Sequence, residues 1–284
     1  MILLKTLSTV FGIIPDSIVM LLAHLIHPFI YCAVKKEKWG LKVKKIIPKV
    51  FKDKDKSWQD RIIKKNTLNL MKLAGEMLKA HFKTDWGLNK KCYIRGGLEY
   101  FEHLLNSDNA FIIMTCHLGN WEYGAAYLVL KYGTIYAPVF VENSKGNRLL
   151  NWSREGHGVV LLKASRNPRT SVKTFFQMRD LLNRGEIIYL VADQAALGGD
   201  FKGNLFGKEL EIFGGPFILG QKTHKPILPM YTLRDEKNRI ALYFEEPFYI
   251  NGNNIEQGIE RVMMFFERII GEYPEQYLWS QDRW

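Results

Sequence analysis

The sequence has few cysteines, and this absence excludes several classes of protein. Its 284 residues contain three, Cys32, Cys92 and Cys116, an odd number without CxxC spacing. Three cysteines without CxxC spacing indicate neither a disulfide framework nor a zinc site, so we expect a reducing environment. We also expect no metal and no cofactor. No small-residue cleavage site closes the early apolar stretch, which argues against a cleaved secretory signal. Apolar residues make up 47% of the chain, enough for a sizeable core, which excludes a disordered protein.

The sequence also lacks an even distribution of charge. It carries 40 basic and 29 acidic residues, a formal net charge of +11. Residues 1–90 hold 18 basic and 7 acidic residues, whereas residues 91–284 hold 22 of each. The basic character therefore belongs to the first third of the chain. Such a segment indicates an anionic partner, which is membrane lipid, nucleic acid or an acidic protein.

No uncharged run reaches the ~20 residues of a typical transmembrane helix. Residues 17–34 form an uncharged run of 18, and His24, His27 and Pro28 within it weaken a transmembrane interpretation. Three interpretations stay open: a helix in the membrane interface, a membrane span, and a buried helix of a soluble domain. On the two membrane interpretations, the lysines from Lys35 to Lys56 lie against anionic headgroups. Otherwise they form an ordinary solvated face.

Hydrophobic periodicity divides the chain into two parts. Between Ser57 and about Lys83, apolar residues recur at helical spacing with lysines on the other face, which predicts a basic amphipathic helix. Beyond residue 90, runs of β-branched residues alternate with helical stretches, which predicts an α/β fold with a mixed central sheet flanked by helices. We therefore predict a membrane-associated helical extension over residues 1–90 and an α/β domain over residues 91–284. The predicted strands cover residues 110–116, 134–141, 158–162, 186–192, 227–232 and 239–244, and the predicted helices of the second part cover 120–131, 144–155, 170–184, 214–224 and 255–272.

The motif that carries chemistry follows the first of these strands. It reads His-Leu-Gly-Asn-Trp-Glu over residues 117–122, and a loop at the carboxyl end of a strand faces the crevice in which open sheets bind ligands. If a helix begins near Gly119, Glu122 falls in its first turn with its carboxylate directed back at His117. A carboxylate that accepts one ring N–H leaves the other nitrogen able to take a proton from a substrate hydroxyl. We predict His117 as a general base oriented by Glu122.

This pair is the histidine–carboxylate half of a catalytic triad without its serine, so the acceptor hydroxyl would attack directly. Cys116 would point to the opposite strand face from His117, which disfavours a cysteine nucleophile. The structural alternative is a core histidine, with Glu122 stabilising a helix start.

These residues resemble a known family. In this form, the motif at residues 117–122 looks like the H-x4-D/E signature of glycerolipid-type acyltransferases and is most similar to the lipid A biosynthesis late acyltransferases of the lauroyl/myristoyl group and to the related phosphatidylinositol mannoside acyltransferases. Ala137 and Ala195-Ala196-Leu197 depart from the family pattern, but the resemblance covers nearly the whole chain. The blocks that match in order are Tyr136-Ala137-Pro138 with Asn143, Arg154-Glu155-Gly156, Asp193-Gln194, Phe213-Gly214-Gly215-Pro216 with Pro226 and Pro229, and Pro274–Trp279 with Arg283-Trp284.

The resemblance implies a glycerolipid-acyltransferase-like fold and a membrane-associated acyltransferase of lipopolysaccharide synthesis, at the cytoplasmic face of the bacterial inner membrane. The donor would be an acyl-carrier-protein or coenzyme A thioester, and the acceptor a hydroxyl of a lipid A-type or other glycolipid. The residues expected to bind substrate are Asn120, Arg154, Arg166, Asp193 and Gln194, with Arg169 as a further candidate for phosphate.

Two of these residues also have a purely structural interpretation. Arg154 could form a surface ion pair, and Asp193 could cap the next turn. The alternative functions are a phospholipid- or phosphatidylinositol-mannoside-type acyltransferase and a basic nucleic-acid-binding protein. Since the charge surplus flanks an apolar helix and the remainder of the chain is neutral, the sequence favours an anionic membrane surface over nucleic acid.

Overall fold

A computed structural model describes residues 2–34, 38–107, 110–140, 145–164, 168–193, 199, 201–252 and 254–279. Its helices are α1 Ile2–Ile13, α2 Asp16–Val34, α3 Lys38–Val50, α4 Lys56–Lys79, α5 Asp85–Lys91, α6 Leu98–Ser107, α7 Trp121–Tyr132, α8 Lys145–Gly156, α9 Pro168–Asn183, α10 Gly215–Thr223 and α11 Ile255–Glu272. Its strands are β1 Cys92–Gly96, β2 Ile112–Thr115, β3 Ile135–Phe140, β4 Val160–Ala164, β5 Ile187–Val191, β6 Phe201–Leu205, β7 Lys208–Ile212, β8 Ile227–Arg234 and β9 Ile240–Phe244.

Seven of the strands form one mixed sheet in the order β1-β9-β8-β2-β5-β3-β4. The five strands from β8 to β4 run parallel to one another, whereas β9 is antiparallel to β8 and parallel to β1. Because parallel neighbours end at the same edge, the loops after β2 and β5 lie side by side. The strands β6 and β7 form a separate antiparallel hairpin.

The core covers both faces of this sheet. Ile112 and Met114 of β2 pack into one buried cluster, and Phe111 and Ile113 pack into the other. This alternation follows from the two-residue period of a strand, and every residue of β2 is buried because helices cover both faces. The predicted mixed α/β architecture is confirmed.

The predicted elements of the α/β part are present with ends that shift by at most two residues. The sequence patterns did not predict β1, α6 or the hairpin of β6 and β7. Each of these strands is only five residues long, and β1 and β6 mix polar residues and glycine with apolar ones, so neither produces a clear apolar run.

The amino-terminal helices pack into the same core. Buried side chains of α3 and α4, Val43, Ile47 and Ile63 among them, belong to the cluster that contains Ile112 and Met114. The division of the chain at residue 90 stays a prediction. What the structure shows is continuous packing across that position.

Helix α2 lies antiparallel along α4. At its start, Asp16 pairs with Lys79 at 2.5 Å between Oδ1 and Nζ. Nearer its end, His27 Nε2 bonds the carbonyl oxygen of Lys64 at 3.1 Å. One face of α2 is therefore held against the protein over most of its length.

Many apolar side chains of α1 and α2 are exposed. The exposed fractions reach 82% for Ile13, 59% for Leu25 and 77% for Phe29. Among the described residues, no single helix has the length and apolarity of a membrane span; the pair of α1 and α2, bent by 110°, meets the criteria only when both helices are taken together.

A buried carboxylate joins α4 to the rest of the molecule. The side chain of Glu76 is 1% exposed and accepts hydrogen bonds from both Nη atoms of Arg234 at 2.6 Å, from Asn120 Nδ2 at 2.7 Å and from Lys91 Nζ at 2.8 Å. Burial raises the pKa of Glu76, but the charges and hydrogen bonds of Arg234 and Lys91 outweigh it and lower the pKa to about 2. Ionised Glu76 therefore ties α4 to α5, to β8 and to the turn that precedes α7.

Replacing Glu76 with glutamine should destabilise the fold. The amide keeps the shape but leaves the cations of Arg234 and Lys91 buried without a counter-charge, and we expect the free energy of unfolding to fall by about 3–5 kcal/mol at neutral pH. Since the folded-state pKa of Glu76 lies below its ordinary value of 4.5, its contribution is fully present above that pH and is lost as the pH falls towards 2. Thermal unfolding of the variant should therefore depend less on pH over this range than that of the wild type.

The matched control is Glu99→Gln, because Glu99 is exposed on α6. This substitution should change the free energy of unfolding by no more than about 0.5 kcal/mol. Equal destabilisation by the two substitutions would show that the buried charge of Glu76 does not matter to the fold.

Candidate active site

His117 and Asp193 meet at the carboxyl edge of the parallel strands. Each lies two residues beyond the end of its strand, and β2 and β5 are aligned with Thr115 opposite Val191. The backbone pairing extends one step further, since Ala192 N–H donates to the Thr115 carbonyl at 2.8 Å. The register of two neighbouring strands thus brings together side chains that are 76 positions apart in the sequence.

The imidazole of His117 is bonded to Asp193. The distance from Nδ1 to Oδ1 is 2.7 Å, and the backbone N–H of His117 donates to Oδ2 of the same carboxylate at 3.2 Å. The Asp193 side chain is fully buried, whereas His117 keeps 12% of its side chain exposed. A carboxylate on Nδ1 holds the proton on that nitrogen and leaves Nε2 as the basic one.

Glu122 occupies a different place from the one predicted. It lies in the first turn of α7, as expected, but the carboxylate at Nδ1 of His117 belongs to Asp193. Glu122 instead forms a two-pronged ion pair with Arg154 of α8, from Nε to Oε2 at 2.8 Å and from Nη2 to Oε1 at 2.5 Å. The carboxylate bonded to Nδ1 is thus not the predicted one, because the strand register puts Asp193 nearer to that nitrogen. A catalytic role for Glu122 stays a prediction.

Electrostatics still link Glu122 to the histidine. Burial raises the pKa of Glu122, but the charge and hydrogen bonds of Arg154, together with the charge of His117 and a hydrogen bond from Trp121, lower it overall. Trp121 lies between the two groups, since its Nε1 donates to Glu122 Oε1 at 3.0 Å and its ring packs edge-on against the His117 ring at 4.6 Å. The charge of Glu122 therefore lies close to the imidazole of His117.

Arg154 is likewise placed differently from the prediction that it binds substrate. Its Nε and Nη2 are bonded to Glu122, and its Nη1 donates to Asn151 Oδ1 at 3.0 Å. The guanidinium fork that would hold a phosphate therefore holds a protein carboxylate. The interpretation of Arg154 as an ion-pair partner fits the structure, with Glu122 as the partner.

Asn120 is a structural residue in this geometry. It is fully buried, its Oδ1 accepts from the backbone N–H of Tyr123 at 3.0 Å as the amino-terminal cap of α7, and its Nδ2 donates to Glu76. The prediction that Asn120 binds substrate does not agree with these contacts, because both ends of the amide are bonded to protein. The motif thus fixes the start of α7 through a capping interaction.

Gly119 is required by the backbone of the turn. Its φ is +64°, and a Cβ at this position would lie 2.3 Å from the carbonyl oxygen of Thr232 in β8. Only glycine combines a left-handed conformation with so close an approach. The turn between His117 and α7 is therefore pressed against the neighbouring strand.

Of the remaining predicted site residues, only Arg169 lies within the described part of the chain. Arg166 and Gln194 lie outside the described residues. Arg169 lies exposed in the first turn of α9. Four further neighbours of the site were not predicted from the sequence, namely Glu76, Lys91, Arg234 and Tyr277. For Tyr277 the only indication was its place in the terminal block of the family pattern.

Comparison with known proteins identifies the family of this chain. No curated protein sequence matches the chain. The model of the family described as bacterial lipid A biosynthesis acyltransferase matches residues 6–284, nearly the full length. The match includes the motif at residues 117–122 and the elements that carry Arg154, Asp193 and Tyr277. The chain therefore belongs to the bacterial lipid A biosynthesis acyltransferases and is an acyltransferase.

Proposed function

We propose that this protein moves a fatty acyl chain from an acyl-carrier-protein or coenzyme A thioester to a hydroxyl of a lipid A-type glycolipid. The observation that carries the proposal is the buried contact of 2.7 Å between Asp193 Oδ1 and His117 Nδ1, at the edge where parallel strands bind ligands. Family membership supports the reaction class, and the geometry supports His117 as the base.

The reaction follows from that geometry. Nε2 of His117 takes the proton of the acceptor hydroxyl as its oxygen attacks the thioester carbonyl. A carbon–oxygen bond forms, the carbon–sulfur bond breaks, and the thiolate that leaves receives the proton from the imidazolium. Asp193 stays ionised and holds the protonated ring, as the carboxylate does in a serine triad.

Glu122 and Arg154 have a supporting role in this proposal. Their ion pair fixes the first turn of α7 to α8 beside the reacting histidine, and the carboxylate of Glu122 stabilises the imidazolium through its charge. A phosphate of the acceptor would then be held elsewhere. Arg166 and Gln194, with Arg169 as a further candidate, remain our proposal for that contact.

The exposed face of α1 and α2 supports membrane attachment as part of the same proposal. Val10, Ile13, Leu21, Leu25 and Phe29 are each more than half exposed, and lysines at positions 45 and 49 of the neighbouring α3 are exposed as well. Because the other face of α2 is held by α4, an orientation flat on an anionic bilayer fits the packing. We place this surface at the cytoplasmic face of the bacterial inner membrane.

His117→Ala should lower turnover by about two to four orders of magnitude, because it removes the general base. Asp193→Asn should lower turnover by at least about two orders, since it releases the ring and removes the charge that supports the imidazolium. The assay follows transfer of radiolabelled dodecanoyl chains from carrier-protein or coenzyme A thioester to extracted lipid A-type glycolipid, with phosphatidylinositol mannoside as the alternative acceptor. Wild-type turnover by His117→Ala would refute the mechanism.

The ion pair of Glu122 and Arg154 should behave as one unit. In a double-mutant cycle with Glu122→Gln and Arg154→Met, we expect the effects on stability to be non-additive by about 1–3 kcal/mol, because each single change leaves a buried charge without its partner. Thermal unfolding of the four proteins measures the coupling. Additive effects would mean that the ion pair does not stabilise the fold.

Membrane attachment can be tested with vesicles. The triple variant Leu21→Gln, Leu25→Gln and Phe29→Gln should lose most of its co-sedimentation with vesicles that contain phosphatidylglycerol. The control carries Val172→Gln, Phe176→Gln and Met264→Gln, three exposed apolar residues on α9 and α11, and should sediment like the wild type. Binding should weaken as the salt concentration rises.

Equal binding by the two triple variants would exclude α2 as the attachment surface. Retention on DNA at the salt concentration that releases the vesicles would favour a nucleic-acid partner instead.

A further inference from the structure

The last described segment of the chain lies against the turn that carries the histidine. Leu278 N–H donates to the carbonyl oxygen of His117 at 3.0 Å, and Gly119 N–H donates to that of Gln276 at 3.1 Å. Leu118 and Tyr277 face each other across this antiparallel bridge. The segment is therefore bonded directly to the reacting turn.

Packing holds Tyr277 itself in one orientation. Asn66 of α4 donates its Nδ2 to the carbonyl oxygen of Tyr277 at 2.7 Å, and the ring of Trp279 packs edge-on against the phenol at 4.8 Å. The Tyr277 side chain is fully buried. Its hydroxyl donates to Oδ2 of Asp193 at 2.9 Å.

We infer that Tyr277 is a positioning residue for acyl transfer, which holds the Asp193 carboxylate in the plane that directs Oδ1 at His117 Nδ1. The inference rests on the proposed function of the His117 and Asp193 pair. A carboxylate turns about its last bond unless both oxygens are bonded, and here the Tyr277 hydroxyl and the His117 backbone N–H both donate to Oδ2. Because these two bonds fix Oδ2, the carboxylate cannot turn, and Oδ1 stays directed at the imidazole ring.

The charged groups nearest to this chain of hydrogen bonds are paired among themselves. Glu122 of α7 faces the histidine and is paired with Arg154 of α8. Glu76 of α4 is paired with Arg234 of β8 and with Lys91 of α5. Loss of the Tyr277 hydroxyl therefore acts on the histidine–aspartate pair without releasing another buried charge.

The test is Tyr277→Phe, which removes one oxygen atom. We expect kcat to fall by about ten- to a hundredfold, as for the loss of a hydrogen bond to a charged group, with KM changed by less than about twofold. The acid limb of the kcat/KM profile should move to higher pH, because the pair loses a donor that favours its deprotonated form. The assay uses the full-length protein in detergent micelles, dodecanoyl-coenzyme A or its carrier-protein thioester as donor, and lipid A-type glycolipid as acceptor.

The matched control is Tyr93→Phe. Tyr93 of β1 donates its hydroxyl to Asp235 Oδ2 at 3.2 Å, so the same kind of bond is removed far from the histidine, and the pH profile should stay at its wild-type position. Replacement of Tyr277 with 3-fluorotyrosine keeps the ring and strengthens the donor, and it should move the acid limb to lower pH. If Tyr277 acted through packing alone, the phenylalanine and 3-fluorotyrosine replacements would not move the acid limb in opposite directions.

Nuclear magnetic resonance of the His117 ring supplies a readout that does not depend on turnover. The low-field resonance of the proton at Nδ1 should be present in the wild type and should shift or broaden in Tyr277→Phe, but not in Tyr93→Phe. Wild-type kinetics, pH profile and resonance in Tyr277→Phe would overturn the inference. An inactive wild type whose resonance responds to Tyr277→Phe would count against the proposed function and leave the positioning role supported.

Discussion

The buried carboxylate of Glu76 connects the amino-terminal helices to the turn that carries His117. It accepts hydrogen bonds from Arg234 of β8, Lys91 of α5 and Asn120 at the start of α7. Two cations and one anion are taken out of water here, so the cluster is stable only while every donor has its acceptor. Because Asn120 also caps α7, the geometry of residues 117–122 depends on a side chain that lies 41 to 46 positions earlier in the sequence.

The strand register provides the second constraint on the site. His117 and Asp193 follow β2 and β5 at equivalent positions, so their separation is set by two neighbouring backbones rather than by flexible loops. Glu122 is fixed differently, by its place in the first turn of α7 and by Arg154 of α8. Two carboxylates therefore lie near one imidazole. Asp193 is bonded to its Nδ1, and the charge of Glu122 lies close to the ring.

Much of this architecture can be predicted from local patterns, but the assignment of the carboxylates cannot. The spacing from His117 to Glu122 correctly placed Glu122 in a first helical turn. Which carboxylate reaches Nδ1 depends on the order of strands in the sheet, a non-local property that hydrophobic periodicity does not contain. The same limit applies to Asn120, which resembles an exposed site residue in sequence and is buried because Glu76 comes from another helix. Strand β1 was missed because arginine and glycine interrupt its apolar residues, whereas the equally long β5 is continuously apolar.

The amino-terminal helices are bonded to the site through α4. Helix α4 holds α2 on one side through Asp16 and His27, and on the other it supplies Glu76 to the cap of α7 and Asn66 to the segment that carries Tyr277. Helix α4 therefore connects the exposed face of α2 with both supports of the turn that carries His117. If that face rests on a bilayer, the height of His117 above the lipid surface is set by packed side chains rather than by a linker. An acceptor hydroxyl on a lipid headgroup would then meet the base at a constant distance from the membrane.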